Sequence, residues 1–334
     1  MDELISWEIY RILCRLELKK IVLLTFALIV FSTAVVVRST SPVVSYPTET
    51  EVLMEVDLPV HNIDSGKNFS TIQEAINDNE TIDGHTILVD AGTYYEDVRV
   101  DKSVRLIGEK RDSTIIDGKR SVTPLTISTN NVTISGFTIR NGGKPYEGGW
   151  GGVYIMIGHN CVIENNVITN NPSGIEMSGG SYNITITNNT ITNNELYGIV
   201  IYFGSNNTIS GNTIASNEYG IYTVYSTTKI YRNYFINNTT QASTTSSNNS
   251  WDNGKEGNYW SDYEAKYPNA TELDGSGIWD TPYVIYSSYT PQQDNYPLVP
   301  EFPTWTATLL ILIILTVAIA IYKKTTQNTN TIII

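Results

Sequence analysis

A repeated motif constrains the fold of this chain more than any other feature. The pattern I-x-x-N-x-[IF] occurs four times, with steps of 23, 23 and 21 residues, in segments that begin at Ile163, Ile186, Ile209 and Ile230. A fixed period near 22 residues is the signature of a solenoid. An earlier copy at Ile134 carries Phe137 in the Asn position and precedes the next copy by 29 residues, which indicates a loop insertion between Gly142 and Gly152.

Composition decides which kind of solenoid this is. A leucine-rich repeat is excluded because Leu is scarce, and the units consist of short Ile and Thr runs broken by Asn and Gly. Such β-branched runs form strands, and Asn and Gly favour corners. Stacked coils would place Ile on Ile inside and the motif Asn on Asn at a corner, where amides hydrogen-bond along the stack and tolerate left-handed backbone. We predict an all-β fold, a right-handed parallel β-helix of about eight coils of about 22 residues.

Two apolar segments flank the repeats. Residues 21–37 carry no charge and follow four basic residues, and the apolar stretch 304–322 is followed by Lys323 and Lys324. Basic flanks stay in the cytoplasm, so both segments predict a membrane-anchored protein whose β-helix is extracellular. For the first segment, a signal anchor and a cleaved signal peptide both remain open.

These features divide the chain into five parts. They are a cytoplasmic tail with signal anchor or signal peptide (1–38), a Pro-containing linker (39–60), the β-helix (61–250), a closing segment (251–300) and a C-terminal transmembrane anchor (301–334). Within the third part, Phe69–Asp78 is predicted to form a short amphipathic helix. The first coil of a solenoid has an open apolar end, and this helix is expected to cap it.

Several motifs resemble known families. The stretch Ile87–Glu96, I-x-V-x-x-G-x-Y-x-E, resembles the entry of the pectate-lyase-like β-helix superfamily. The closing segment resembles that of NosD-type β-helix proteins in three motifs: GNYWSDY at Gly257–Tyr263, GI-x-DTPY at Gly277–Tyr283 and DNYPL at Asp294–Leu298. The resemblance covers roughly residues 65–300. It implies a scaffold and does not imply an activity.

The C-terminal part resembles an archaeal PEF-type sorting signal, with PEFP at Pro300–Pro303, an apolar span and two lysines. That resemblance implies processing by a sortase-type enzyme. The tail that follows the lysines departs from the pattern, and a plain anchor is the alternative.

Charge and metal-binding residues narrow the function classes. The net charge of −13 argues against nucleic acid, whose phosphates require a basic surface. The NosD resemblance suggests copper, but His61, His85 and His159 are scattered, and copper needs clustered His, Cys or Met, so copper is not expected. A candidate calcium loop contains Glu272, Asp274, Ser276 and Asp280, whose spacing places oxygens around one centre. A solvated acidic turn is the alternative.

Aromatic and acidic residues at equivalent positions indicate a ligand face. If Val153, Ile175, Ile199 and Ile221 are equivalent and face inward, the residues that follow them face outward. Glu195 and Glu218 are one 23-residue period apart and would lie about 5 Å apart if they stack. Rings beside carboxylates suit sugars. The predicted carbohydrate-binding residues are Trp150, Tyr154, Glu176, Glu195, Tyr197, Glu218, Tyr219 and Tyr222. The alternative is that the tyrosines pack under another segment.

The sequence therefore predicts a membrane-anchored surface protein that binds carbohydrate or has a structural role in the envelope, with a polysaccharide or envelope glycan as partner. One alternative is a polysaccharide lyase or glycosidase, although no motif singles out a catalytic residue. The other, implied by the NosD resemblance, is an accessory factor for a metalloenzyme. Ten N-x-[ST] sequons are present, of which Asn237, Asn238, Asn248 and Asn269 lie in looser sequence and are expected to be the better glycan acceptors.

Overall fold

The computed structural model describes residues 58–143, 151–245 and 247–300. The chain divides into two compact units, Met1–Glu55 and Val56–Ile334, and all the described residues belong to the second. Within the described ranges, no helix is long and apolar enough to cross a membrane. Both predicted anchors, most of the linker and Trp150 lie outside these ranges.

Short strands stack into three sheets, as the repeat predicts. Sheet 1 contains, in spatial order, β2 (Lys67–Phe69), β1 (Val60–Asn62), β3 (Thr86–Val89), β6 (Arg105–Gly108), β9 (Thr133–Ser135), β12 (Val162–Glu164), β15 (Thr185–Thr187), β18 (Ser205–Ser210) and β21 (Thr227–Tyr231). Sheet 2 contains β24 (Tyr259–Trp260), β22 (Tyr234–Ile236), β19 (Thr213–Ala215), β16 (Thr190–Thr192), β13 (Val167–Thr169), β10 (Thr138–Arg140), β7 (Thr114–Asp117) and β4 (Gly92–Tyr94). Sheet 3 contains β26 (Gln292–Asp294), β25 (Tyr283–Ser287), β23 (Thr240–Thr245), β20 (Tyr219–Val224), β17 (Tyr197–Tyr202), β14 (Ser173–Met177), β11 (Val153–Ile155), β8 (Leu125–Ile127) and β5 (Val98–Val100).

The strands of successive coils pair in parallel and in register. In sheet 1, the parallel series from β3 to β21 makes about seven turns, where the sequence predicted about eight. Ile186 pairs with Ile209, and Ile191 pairs with Ile214, in the interior of the solenoid. The all-β parallel solenoid is therefore confirmed.

Buried Asn side chains form two ladders along the stack. In the first ladder, Nδ2 of each Asn donates to Oδ1 of the next over distances of 3.1, 3.0, 2.9 and 3.0 Å, through Asn166, Asn189, Asn212, Asn233 and Asn258. The second ladder contains Asn171, Asn194, Asn217 and Asn238. The left-handed residues are the neighbours of these rungs, such as Asn165 with φ 52°. The sequence assigned both roles to one Asn, and the structure divides them between adjacent residues.

The first ladder ends on a buried carboxylate in the closing segment. Asp294 Oδ2 accepts the backbone N–H of Asn258 at 2.6 Å and the indole N–H of Trp260 at 2.9 Å. Burial raises the pKa of Asp294 to about 7, while hydrogen bonds such as these act to lower it. The Trp260 ring stacks between Phe235 and Tyr283 at centroid distances of 4.4 and 4.2 Å. Asp294 thus joins two of the closing motifs over the last coil.

The predicted helix near the start of the solenoid is present as α1 (Ile72–Asn77). The Thr71 hydroxyl accepts the N–H of Glu74 at 3.1 Å, as expected for an N-cap. The apolar face of α1 is buried and contacts β1, β2, β3 and β5. That this helix caps the first coil remains a prediction. A second short helix, α2 (Tyr263–Lys266), lies in the closing segment.

Candidate functional site

The predicted row of outward residues exists on sheet 3. Tyr154 pairs with Glu176, Glu176 with Val200, and Val200 with Tyr222. Their strand neighbours Val153, Ile175, Ile199 and Ile221 are fully buried in the core. Because side chains alternate along a strand, the row lies on the outer face of the sheet.

Three tyrosines gather at one side of this row and are called here the three-tyrosine cluster: Tyr197, Tyr219 and Tyr222. The ring of Tyr197 lies 5.5 Å from those of Tyr219 and Tyr222, and it is almost parallel to the latter, with an interplanar angle of 11°. Val200 is fully buried although its position faces outward. Burial, with smaller contributions from neighbouring Tyr and Glu218, raises the pKa of Tyr197 to about 12, so its hydroxyl stays a hydrogen-bond donor.

Glu176 is the buried carboxyl of this face. It is only 9% exposed, and burial raises its pKa to about 7. Beside it, the Tyr154 hydroxyl forms a hydrogen bond of 2.8 Å with the hydroxyl of Ser178. A carboxyl that is partly protonated near neutral pH can both donate and accept hydrogen bonds, which suits recognition of hydroxyl groups.

The burial of Glu176 predicts a pH-dependent stability. The pKa of Glu176 rises from the ordinary value of 4.5 to about 7 in the folded protein, so the folded protein binds this proton more tightly than the unfolded chain does. The contribution of this proton to the free energy of unfolding is fully present below about pH 4.5 and is lost as the pH rises through about 7. Glu176→Gln, which stays neutral, should reduce the fall in unfolding free energy between pH 5 and 8 by roughly 1–3 kcal/mol. Urea titrations of both proteins measure this, and parallel pH profiles would contradict it.

The predicted stacking of Glu195 on Glu218 remains a prediction. The ladder residues Asn194 and Asn217 are 23 residues apart, but the paired residues Tyr197 and Tyr219 are 22 residues apart. The later coil therefore has one residue fewer between ladder and strand. Glu195 lies 3.5 Å from the guanidinium group of Arg120.

A groove on the same face was missed by the sequence analysis. It has a volume of about 210 Å³ and is lined by Asp97, Arg99, Thr123, Thr126, Ser128, Tyr154 and Met156. Its charged end is the ion pair between Arg99 Nη2 and Asp97 Oδ2 at 2.9 Å. Arg99 pairs with Thr126, which pairs with Tyr154, so the groove extends the predicted row toward the start of the solenoid. The alternation of β5 and β8 could have indicated these outward residues, but the first coils lack the Asn motif that fixes register.

One predicted glycan acceptor is buried. The other nine sequon asparagines are exposed, whereas Asn238 is 8% exposed and is a rung of the second ladder. Asn238 Nδ2, the atom that would carry a glycan, donates to the carbonyl oxygen of Ile214 and to Gln241 Oε1, both at 2.9 Å. The expectation for Asn238 is therefore wrong for the folded protein, and Asn237, Asn248 and Asn269 remain candidates.

A known family matches this chain over the repeats and the first closing motif. A family model described as "Periplasmic copper-binding protein (NosD)" matches residues 77–265, more than half of the chain. The chain belongs to the NosD family. A cell surface glycoprotein of Methanothermus fervidus is 41% identical over 123 residues, which is 36% of this NosD-family chain and 19% of that protein. The chain thus spans about a fifth of the length of the curated relative that it matches.

Two solved structures share a coarse likeness with this NosD-family chain. The pectin methylesterase PemA of Erwinia chrysanthemi has 11% identity and a TM-score of 0.35, with 71% of this chain and 91% of that chain covered. A mannuronan C-5 epimerase A-module of Azotobacter vinelandii has 15% identity and a TM-score of 0.20, with 50% and 71% covered. Likeness at this level says nothing about activity.

The His and Met side chains of this NosD-family chain lie apart from one another within the described ranges. Among the described residues, no group of three or more His, Cys, Asp or Glu side chains is placed to hold a metal ion. His61 hydrogen-bonds to Asn68 and Asp90, and Met177 faces the core while Met156 is exposed on the outer face.

The candidate calcium loop is closed by its own hydrogen bonds. Glu272 Oε1 accepts the N–H of Gly277 at 2.8 Å, and Asp280 accepts the hydroxyls of Thr271 and Thr281. Asp274 lies at the turn, with φ 45°. All four predicted ligands are exposed, and a calcium ion would have to compete with these bonds. The calcium site remains a prediction.

Proposed function

We propose that this protein is displayed at the cell surface and binds polysaccharide on the outer face of sheet 3. The observation that carries the proposal is the three-tyrosine cluster beside the buried Glu176. Flat aromatic rings offer a sugar its stacking surface, and tyrosine hydroxyls and a carboxyl offer hydrogen bonds. The hydroxyl-lined groove near Arg99 continues the same face.

The surface location is supported by two independent features. The matched relative is named a cell surface glycoprotein, and apolar segments with basic flanks lie on both sides of the solenoid. We propose that these segments anchor the protein in the membrane with the solenoid outside, and that the PEF-type tail is either processed by a sortase-type enzyme or retained as a plain anchor. A purely structural envelope role would use the same location without the ligand face.

The test of ligand binding uses Tyr197→Ala and Tyr219→Ala. Soluble protein is titrated against a panel of neutral hexose polymers, N-acetylhexosamine polymers, uronate polymers and the envelope polysaccharide of the source cells. Each single change should weaken binding to the preferred polymer by up to about tenfold, or roughly 1.4 kcal/mol. The effects should add only in part because both rings would contact one chain.

Thermal melting of the same variants separates binding from folding. Unchanged melting with weaker binding supports the ligand face. A double variant that binds like the wild type would place the ligand elsewhere, and one that unfolds would make the cluster a packing element.

A glycosidase on this face is the second candidate, favoured by the raised pKa of Glu176. A general acid must hold its proton near the working pH, and desolvation is the usual way to achieve this. Release of reducing ends from the preferred polymer that disappears in Glu176→Gln would establish hydrolysis. No release by the wild type would leave a binding protein.

A further inference from the structure

Two exposed aromatic residues occupy an unusual position where sheet 3 turns toward sheet 1. Phe203 follows β17 and Tyr225 follows β20, and their side chains are 60% and 55% exposed. Their rings are 5.4 Å apart and nearly parallel, with an interplanar angle of 7°. They form what is called here the corner platform.

Both residues of the corner platform have left-handed backbone, with φ 59° for Phe203 and 48° for Tyr225. For a bulky residue this conformation is an outlier, because the side chain is crowded against the backbone. At other corners the left-handed position is filled mainly by Asn, as in the column Asn131, Asn160, Asn183 and Asn206. The chain therefore has two strained aromatic residues at positions where Asn would adopt the same backbone conformation with less strain.

Burial does not explain this choice, since more than half of each side chain remains in water. Strained backbone that persists in an exposed place indicates a functional requirement for the side chain. In the preceding coil Met177 pairs with Ile201, so the position equivalent to Phe203 is held by Gly179. The coil beside Phe203 thus contributes no side chain at this position.

The corner platform and the three-tyrosine cluster lie toward opposite ends of the same two strands. Tyr197 begins β17 and Phe203 follows its last residue, and in the next coil Tyr219 and Tyr225 stand in the same relation. Six residue steps of strand cover roughly 20 Å, the length of a short oligosaccharide. The outward neighbours in the following coil are the small residues Thr240, Ser243 and Thr245. The line from the three-tyrosine cluster to the corner platform therefore runs along the strands and across the solenoid axis.

We propose that Phe203 and Tyr225 form an end subsite that stacks on a pyranose ring of a linear polysaccharide lying along β17 and β20. The three-tyrosine cluster holds the other end of the bound segment. This inference rests on the proposed polysaccharide binding and adds the direction and the length of the bound chain.

The test replaces the aromatic residues with the residue that the backbone prefers, in Phe203→Asn, Tyr225→Asn and the double variant. The ligands are oligosaccharides of two to eight units prepared from the polymer that the wild type binds best. The double variant should bind the longer oligosaccharides about tenfold more weakly and the shortest ones almost unchanged, so that the gain in affinity with length disappears. Tyr289→Asn, at an exposed tyrosine of the closing segment, is the matched control and should bind as the wild type does.

Melting temperature gives the second readout. Because Asn tolerates left-handed backbone, the double variant should melt at or above the wild-type temperature. A lower melting temperature with unchanged affinity would show that the platform serves stability, and unchanged length dependence would overturn the end subsite. If Tyr197→Ala weakens binding while the corner variants do not, only the end subsite fails. If the wild type binds none of the polymers, the proposed function fails with it.

Discussion

Ile209→Asp is expected to lower the free energy of unfolding by about 3–5 kcal/mol, because it places a charge where water cannot reach it. Ile209 is fully buried and pairs with Ile186 on one side and Ile230 on the other. The carboxylate would meet aliphatic side chains from both adjacent coils. Protonation of the new carboxylate would remove the charge. The packing of the Ile209 side chain would still be lost, and that loss alone is costly.

The matched control is Thr208→Asp, one residue earlier on the same strand. Thr208 faces outward and is half-buried, so its carboxylate can remain hydrated. We expect a change within about 0.5 kcal/mol for this surface substitution. Urea denaturation of both variants measures the difference. An Ile209→Asp protein that melts within a degree of the wild type would refute the register on which the whole fold description rests.

Asn166→Leu is expected to cost about 3–6 kcal/mol, because Leu has a similar size but cannot replace the amide in the ladder. The Asn166 amide donates to the carbonyl oxygens of Ile134 at 3.0 Å and Glu164 at 2.8 Å, and its Oδ1 accepts the N–H of Phe137 at 3.0 Å. All of these groups are buried or part-buried. Each would lose its bond to the Asn166 side chain, at about 1–3 kcal/mol for each group that is left unsatisfied.

The neighbouring residue supplies the control. Asn165 is exposed and has φ 52°, so Asn165→Gly keeps the left-handed turn and leaves the ladder intact. Its unfolding free energy should change by less than about 1 kcal/mol. Chemical denaturation distinguishes the two adjacent asparagines. Equal and small effects would mean that the amide ladder contributes little, and that the Ile stack alone holds the coils in register.

Much of the fold follows from the sequence because parallel stacking in register converts a period along the chain into a contact between coils. The step of 29 residues to the first repeat predicted the pairing of Ile134 with Ile163. The outward row from Tyr154 to Tyr222 followed from the equivalence of the preceding aliphatic residues. Repetition also revealed the Asn ladder, since one rung predicts the next.

The tertiary structure decided what depends on a single residue step or on local packing. Glu195 and Glu218 share the period of the ladder, but the strand begins one residue sooner after Asn217 than after Asn194, which the repeat alone does not indicate. The sequence predicts Asn238 to be an exposed sequon, but its side-chain amide is buried and hydrogen-bonded in the second ladder. Glu176 pairs with Tyr154 and Val200 of the adjacent coils, and its burial raises its pKa. Period and composition record which residues are equivalent, whereas burial and backbone conformation, as at Phe203, are set by neighbours that only the folded chain brings together.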